Sequence, residues 1–236
     1  MTISGRMIVF VSLLLLAVPA VAQETIGTAP DADGAWYHRI RLGGGAGYTA
    51  WDLENACLTS TPTMRARPCD VDESGVGIHA FVEMRLTDWV GFGVTVRDLP
   101  EVSLAQEVTF PDSPGAVGTL AGFFDPWVIA PYVEGSWRVH PRVEIGAIVG
   151  AAYASEESGG SFRIRQAGRT VFENALREKG SEWRLMPQGF FQVEVTDAVA
   201  ARLGYVHLGL EADTDADEER VEAAMDQWSF SVVYAP

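Results

Sequence analysis

Residues 127–153 read WVIAPYVEGSWRVHPRVEIGAIVGAAY, and this stretch decides the fold. In an extended chain Trp127, Ile129, Pro131, Val133, Gly135, Trp137 and Val139 share one face, with Tyr132, Glu134, Ser136 and Arg138 on the other. His140-Pro141-Arg142 turns the chain. Val143, Ile145, Ala147, Val149, Ala151 and Tyr153 then resume the apolar face, opposed by Glu144, Gly146, Ile148 and Gly150. Strand side chains point alternately to opposite faces, so this period of two predicts a hairpin that is apolar on one side only. Antiparallel counting from the turn sets Arg138 opposite Glu144, Trp137 opposite Ile145 and Val133 opposite Val149.

The same pattern recurs in both directions. Upstream, Trp36, His38, Ile40, Leu42, Gly44, Ala46 and Tyr48 alternate with Arg39, Arg41 and glycines. Val76 to Leu86 and Val90 to Val96 alternate on either side of Thr87-Asp88-Trp89, which sets His79 opposite Arg97. Downstream, residues 183–195 and 199–205 flank Thr196-Asp197-Ala198, setting Gln192 opposite Arg202 with Glu194 on the diagonal. A last segment carries Trp228, Phe230, Val232 and Tyr234. Eight strands are predicted. Short turns at 87–89, 140–142 and 196–198 interleave with long polar connections at 52–74, 98–125, 155–181 and 211–225. In the third connection, Ala167-Gly168 between two alternating runs predicts a projecting hairpin.

Three observations direct the apolar face outward into lipid. Segments of about 11 residues, at roughly 3.3 Å per residue and about 45° of tilt, stand about 25 Å high, the thickness of an outer-membrane apolar band. The polar face is rich in glycine, with isolated Arg, Glu and Gln and no lysine, as suits a narrow lumen in which charges pair; the chain's one lysine is Lys179. Finally, Trp36, Tyr48, Trp127, Trp137, Tyr153, Trp183, Tyr205, Trp228 and Tyr234 fall near segment ends on the apolar face, as interfacial aromatic girdles do. The expected fold is an all-β, eight-stranded antiparallel up-and-down transmembrane barrel. Its lumen is expected to hold a polar network of His79, Glu83, Arg85, Arg97, Glu134, Arg138, Glu144, Gln192, Glu194 and Arg202.

The ends of the chain agree. Arg6, an apolar run from Met7 to Val18 and small residues at Ala20 and Ala22 have the three zones of an export signal. The expected organisation is a signal peptide over 1–22, a periplasmic linker over 23–35 and a barrel over 36–236. Removing the signal leaves 16 basic against 32 acidic side chains, a balance that argues against a nucleic-acid partner. Cys57 and Cys69 lie close together in a polar segment of an exported chain, which favours a disulfide over a metal pair.

Signal peptide, eight amphipathic strands, four long loops and the terminal segment Gln227-Trp228-Ser229-Phe230-Ser231-Val232-Val233-Tyr234 together resemble the OmpA/OmpX-like outer-membrane β-barrel family. The resemblance covers essentially the mature chain. It implies residence in outer-membrane lipid and delivery by the barrel-insertion machinery through the terminal aromatic strand; no peptidoglycan-binding domain is expected to follow, because the sequence stops with the barrel.

No constellation for chemistry emerges. Asp213, Asp215 and Asp217 open like a calcium loop, but Glu218 stands where glycine is needed and Ala224 where a bidentate Glu belongs. Residues 211–219 are read as a solvated acidic loop, with weak divalent-cation binding the functional alternative. His38, His79, His140 and His207 are dispersed, with no serine or acid at motif spacing. The expectation is a non-enzymatic, monomeric protein without cofactor or metal, stabilising the envelope and presenting loops to an extracellular ligand. A narrow pore for small solutes is the alternative, and a lipid-modifying enzyme a more distant one. Intact mass of the protein recovered from the envelope is expected to begin at Gln23; a chain retaining residues 1–22 would overturn the processing site.

Overall fold

The structure, a computed structural model, describes residues 40–53, 57–212 and 221–235. The signal peptide, the linker, Trp36 and most of the acidic loop (213–219) lie outside them. The described residues form eleven strands: β1 (Ile40–Leu53), β2 (Arg65–Ala66), β3 (Asp70–Asp72), β4 (Ser74–Arg85), β5 (Val90–Asp98), β6 (Val102–Thr109), β7 (Ala116–His140), β8 (Val143–Gln166), β9 (Arg169–Glu194), β10 (Val199–Ala212) and β11 (Val221–Tyr234).

Eight of them, β1, β4, β5, β7, β8, β9, β10 and β11, pair antiparallel in that order. The ring closes through β1 and β11, from Leu42↔Tyr234 to Leu53↔Ala223. This is the predicted up-and-down barrel, and closure removes the sheet edges that hydrocarbon cannot solvate. The register sets Trp137 opposite Ile145, Arg138 opposite Glu144, Val133 opposite Val149, His79 opposite Arg97 and Arg202 opposite Gln192.

The connection expected as a loop over 98–125 is a hairpin. β6 pairs with the outer half of β7, from Val102↔Phe124 to Thr109↔Val117. That same half of β7 pairs with β8 from Ala116↔Gln166 inward. β7, β8 and β9 are therefore 25, 24 and 26 residues long and run well beyond the lipid-facing wall. The β8–β9 turn falls at Ala167 and Gly168, whose φ angles of 51° and 77° are those of a two-residue hairpin turn.

β2 and β3 add to the far side of β6, and the Cys57–Cys69 disulfide closes the loop that carries β2. Buried Gln106 of β6 anchors this loop. Its Oε1 accepts from the Leu58 N–H at 2.8 Å, and its Nε2 donates to the carbonyls of Leu58 and Arg67 at 3.1 and 2.9 Å. The products are a barrel and, on the long-loop side, an external sheet β2/β3–β6–β7–β8–β9.

The wall changes polarity along its height. On β10, Leu203 and Tyr205 face out while Arg202 faces in; one residue later Val206, Leu208 and Leu210 face in and His207 faces out. On β11, Trp228, Phe230 and Val232 face out, but beyond them Met225 faces in and Asp226 out. Below the switch lipid surrounds the wall and the apolar face is external; above it water does, and the apolar face turns inward. Between β9 and β10 pairing runs only from Glu194 to Gln188, stopping beside Pro187, which has no N–H to give the ladder.

The switch predicts different tolerance at two outward positions. Val149→Arg, at mid-wall between Val133 and Pro187, is expected to lose about 2–4 kcal/mol, and His207→Arg, beyond the girdle, no more than about 1 kcal/mol. Urea unfolding in vesicles measures both, and equal losses would contradict the assigned membrane level.

Candidate functional site

The lower half of the lumen, toward the short turns, is built around six charges. Arg202 of β10 reaches Glu83 of β4 and Glu134 of β7, each at 3.3 Å. Arg85 of β4 meets Glu134 at 2.9 Å and also Glu144 of β8. Arg41 of β1 meets Glu144 at 3.2 Å and Glu83 at 3.6 Å. Every carboxylate thus bridges two guanidiniums and every guanidinium two carboxylates: a closed hexagon, Arg41–Glu83–Arg202–Glu134–Arg85–Glu144, drawn from five strands. Gln192 accepts from the Arg202 Nε at 2.9 Å, and Ser136 from Arg85 at 2.6 Å.

Neighbouring residues shape the hexagon. The Arg202 guanidinium lies between the rings of Phe81 and Phe190, 4.9 and 4.2 Å from their centroids, which adds cation–π attraction in a desolvated site. Those rings need room. A Cβ on Gly43 would collide with the Phe81 ring and one on Gly146 with that of Phe190. The glycines of the polar face are thus the space into which the aromatics pack.

Arg138 and Glu194 are not part of this assembly. Although Arg138 stands opposite Glu144 in the ladder, its side chain is 55% exposed at the turn end and pairs with Glu194 at 2.8 Å. This corrects the expected Arg138–Glu144 lumen pair: Glu144 is taken by Arg41 and Arg85. Arg41, on the polar face of the first segment but outside the expected network, completes the hexagon. One layer outward, Arg97 donates to Gln227 and Gln188 at 2.6 Å each, Gln227 donates to Thr49 at 2.9 Å, and His79 Nε2 lies 2.7 Å from Ser231 Oγ. His79 and Arg97 are ladder neighbours that bond to other strands and not to each other.

Above these layers the lumen is apolar, contrary to the expectation of a polar interior throughout. Val128, Met186, Val206, Leu208, Leu210 and Met225 are fully buried in one cluster, with Trp51 edge-on to Phe124 at 5.5 Å. The cluster coincides with the polarity switch.

The outer girdle is assembled from Tyr205–Trp228 at 4.9 Å, Tyr153–Trp183 at 5.2 Å and Trp127–Tyr153 at 6.2 Å, with Tyr48 opposite Trp228. Trp137 and Tyr234 mark the other edge, joined by Trp89 from the 87–89 turn. Just beyond the outer girdle, Asp226 accepts from the Tyr205 hydroxyl at 2.6 Å and lies 2.9 Å from His207 Nδ1. Among the described residues no serine hydroxyl bonds to this His–Asp pair, and no three His, Cys, Asp or Glu side chains are grouped to hold a metal ion.

On the external hairpin Arg163 pairs with Glu173 at 2.5 Å, and Glu157 takes both Arg177 and Lys179. The Arg177 hydrogen bond, with the charges of Arg177 and Lys179, holds the Glu157 carboxyl below the usual carboxylate range.

Removing Arg202 leaves Glu83 and Glu134 short of a partner in a desolvated site. Arg202→Met is expected to cost about 3–5 kcal/mol, and Arg138→Ala, at an exposed pair, at most about 1 kcal/mol. Denaturant midpoints in detergent or lipid measure both. Loss at Arg138 matching that at Arg202 would sink the assignment.

No protein-family model matches the chain, and no curated protein matches it. Similar solved structures include Ail, the attachment invasion locus protein of Yersinia pestis, in complex with the heparin analogue sucrose octasulfate (11% identity, 83% of this chain and 96% of that chain covered, TM-score 0.43). They also include Neisserial surface protein A (10%, 84% and 97%, 0.44) and the outer membrane protein OprG from Pseudomonas aeruginosa (10%, 83% and 94%, 0.46). At these scores the fold rests on the closed ladder of this chain and not on the likeness.

Proposed function

We propose that the chain is a non-enzymatic integral protein of the Gram-negative outer membrane, which stabilises the envelope and presents its external sheet to the surroundings. The observation that carries this reading is the filling of the lumen. A charged hexagon spans it at one level, and an apolar cluster packs it above. An eight-stranded ring has an interior that side chains can fill, and here they do. The outward apolar wall fits lipid as the partner, and closure within one chain fits a monomer. The final strand, ending at Tyr234, fits recognition by the barrel-insertion machinery.

The external sheet is the part that meets other molecules. It is braced by the disulfide, the Gln106 clamp and the ion pairs of the hairpin, so it offers a fixed surface to an extracellular ligand. The narrow-pore reading needs a continuous aqueous path, which the two fillings oppose.

Reconstitution into planar bilayers tests the reading. The parent protein is expected to show no sustained conductance, whereas long-lived large-conductance channels from the monomer would overturn it. Fractionation tests location in the same preparation, with recovery in the outer membrane and altered gel mobility on boiling expected. A soluble periplasmic protein would refute the membrane assignment.

A further inference from the structure

The hexagon leaves one buried cation out. Its three arginines and three glutamates balance, but Arg97 of β5, 2% exposed and at the level of the lipid-facing wall, meets no carboxylate among the described residues. Its two terminal nitrogens donate to the neutral amide oxygens of Gln227 and Gln188. Its third donor, Nε, has no partner.

Two neighbouring groups share that condition. The Tyr132 hydroxyl and His79 Nδ1 are buried and also lack a hydrogen-bond partner. Arg97, Tyr132 and His79 line one small cavity of about 10 Å³ inside the barrel, with Thr95, Gln188 and Arg202 beside them. A space of that size holds one particle about as large as a water molecule. No carboxylate lines it, and two guanidiniums do.

The partnerless atoms share a chemistry. Arg97 Nε can only donate. The tyrosine hydroxyl can donate, and His79 Nδ1 donates when its Nε2 accepts the Ser231 hydroxyl, 2.7 Å away. Three partnerless groups able to donate, lining one cavity in which a guanidinium meets no carboxylate, suit a monatomic anion. Water would satisfy the hydrogen bonds but leave the buried charge unbalanced, and burying an unpaired charge is strongly unfavourable.

We propose that this cavity binds a single monovalent halide ion, with chloride the abundant candidate, as counter-ion to Arg97 within the membrane-level lumen. The ion completes the charge balance that the hexagon achieves among side chains alone. It belongs to the folded barrel, because the donors on β4, β5 and β7 are enclosed by Gln188, Arg202 and Ser231 of β9, β10 and β11.

The test uses the refolded full-length mature barrel. Crystals grown in sodium bromide are expected to show one anomalous peak in the cavity bounded by His79, Arg97 and Tyr132. In solution, a ligand bound only by the folded state stabilises it by mass action, so the folding equilibrium constant should rise about tenfold for each tenfold rise in chloride above the dissociation constant. Gluconate at equal ionic strength, too large for the cavity, should give no such rise. Arg97→Gln should abolish the halide-specific dependence. Should that variant fail to fold, Tyr132→Phe removes one donor while keeping the ring, and should weaken the dependence. A cavity that holds only water in bromide crystals, or equal stabilisation by chloride and gluconate, would overturn the proposal.

Discussion

Hydrocarbon offers no hydrogen bonds, so every peptide group at membrane depth must find its partner within the protein. For a sheet, the solution is to close on itself. The β1–β11 ladder does this, and most of the interior follows from it. A ring of only eight strands encloses a space that side chains can fill, and polar side chains confined there must satisfy one another. The hexagon is one way to do so with long side chains from five strands, and the inward glycines give its flanking aromatics somewhere to lie.

Where the lipid ends, the constraint reverses. Above the outer girdle the wall faces water, and the ordinary logic of a soluble protein resumes with an apolar core under a polar surface. The chain changes regime within one residue step on β10, between Tyr205 and Val206, without interrupting the strand. The outer part of the molecule therefore has a hydrophobic core of its own, continuous with the barrel. That core supports the long strands β7, β8 and β9 beyond the membrane, where β6 and the disulfide-closed loop extend them into a sheet.

Much of this was legible in the sequence, and the exceptions have physical causes. Hairpin registers such as Trp137↔Ile145 and Arg202↔Gln192 follow from short turns, because a turn fixes which residues meet. Contacts across the lumen do not follow, since they depend on how the ring closes. Ladder position could not place Arg41 with Glu144 or part Arg97 from His79. The β6 hairpin was hidden because Gln106 interrupts its apolar face and Pro111 to Gly115 reads as a loop. The apolar plug had a signal that a search for fixed alternation passes over: the apolar residues slip phase from Leu203 and Tyr205 to Val206, Leu208 and Leu210. Such a slip in a continuous strand marks the membrane surface.

The ladder that seals the ring also governs how the chain reaches its fold. β7, β8 and β9 pair with their immediate neighbours in sequence, whereas β1 and β11 join opposite ends of the described chain. Hairpins form in microseconds, and contacts between distant segments come later because the intervening chain must be ordered first. The sealing ladder is thus the contact that local nucleation supplies last, and until it forms both terminal strands carry unpaired backbone. The nascent barrel is an open, curling sheet with two adhesive rims, and the cell must keep those rims from meeting any strand but each other.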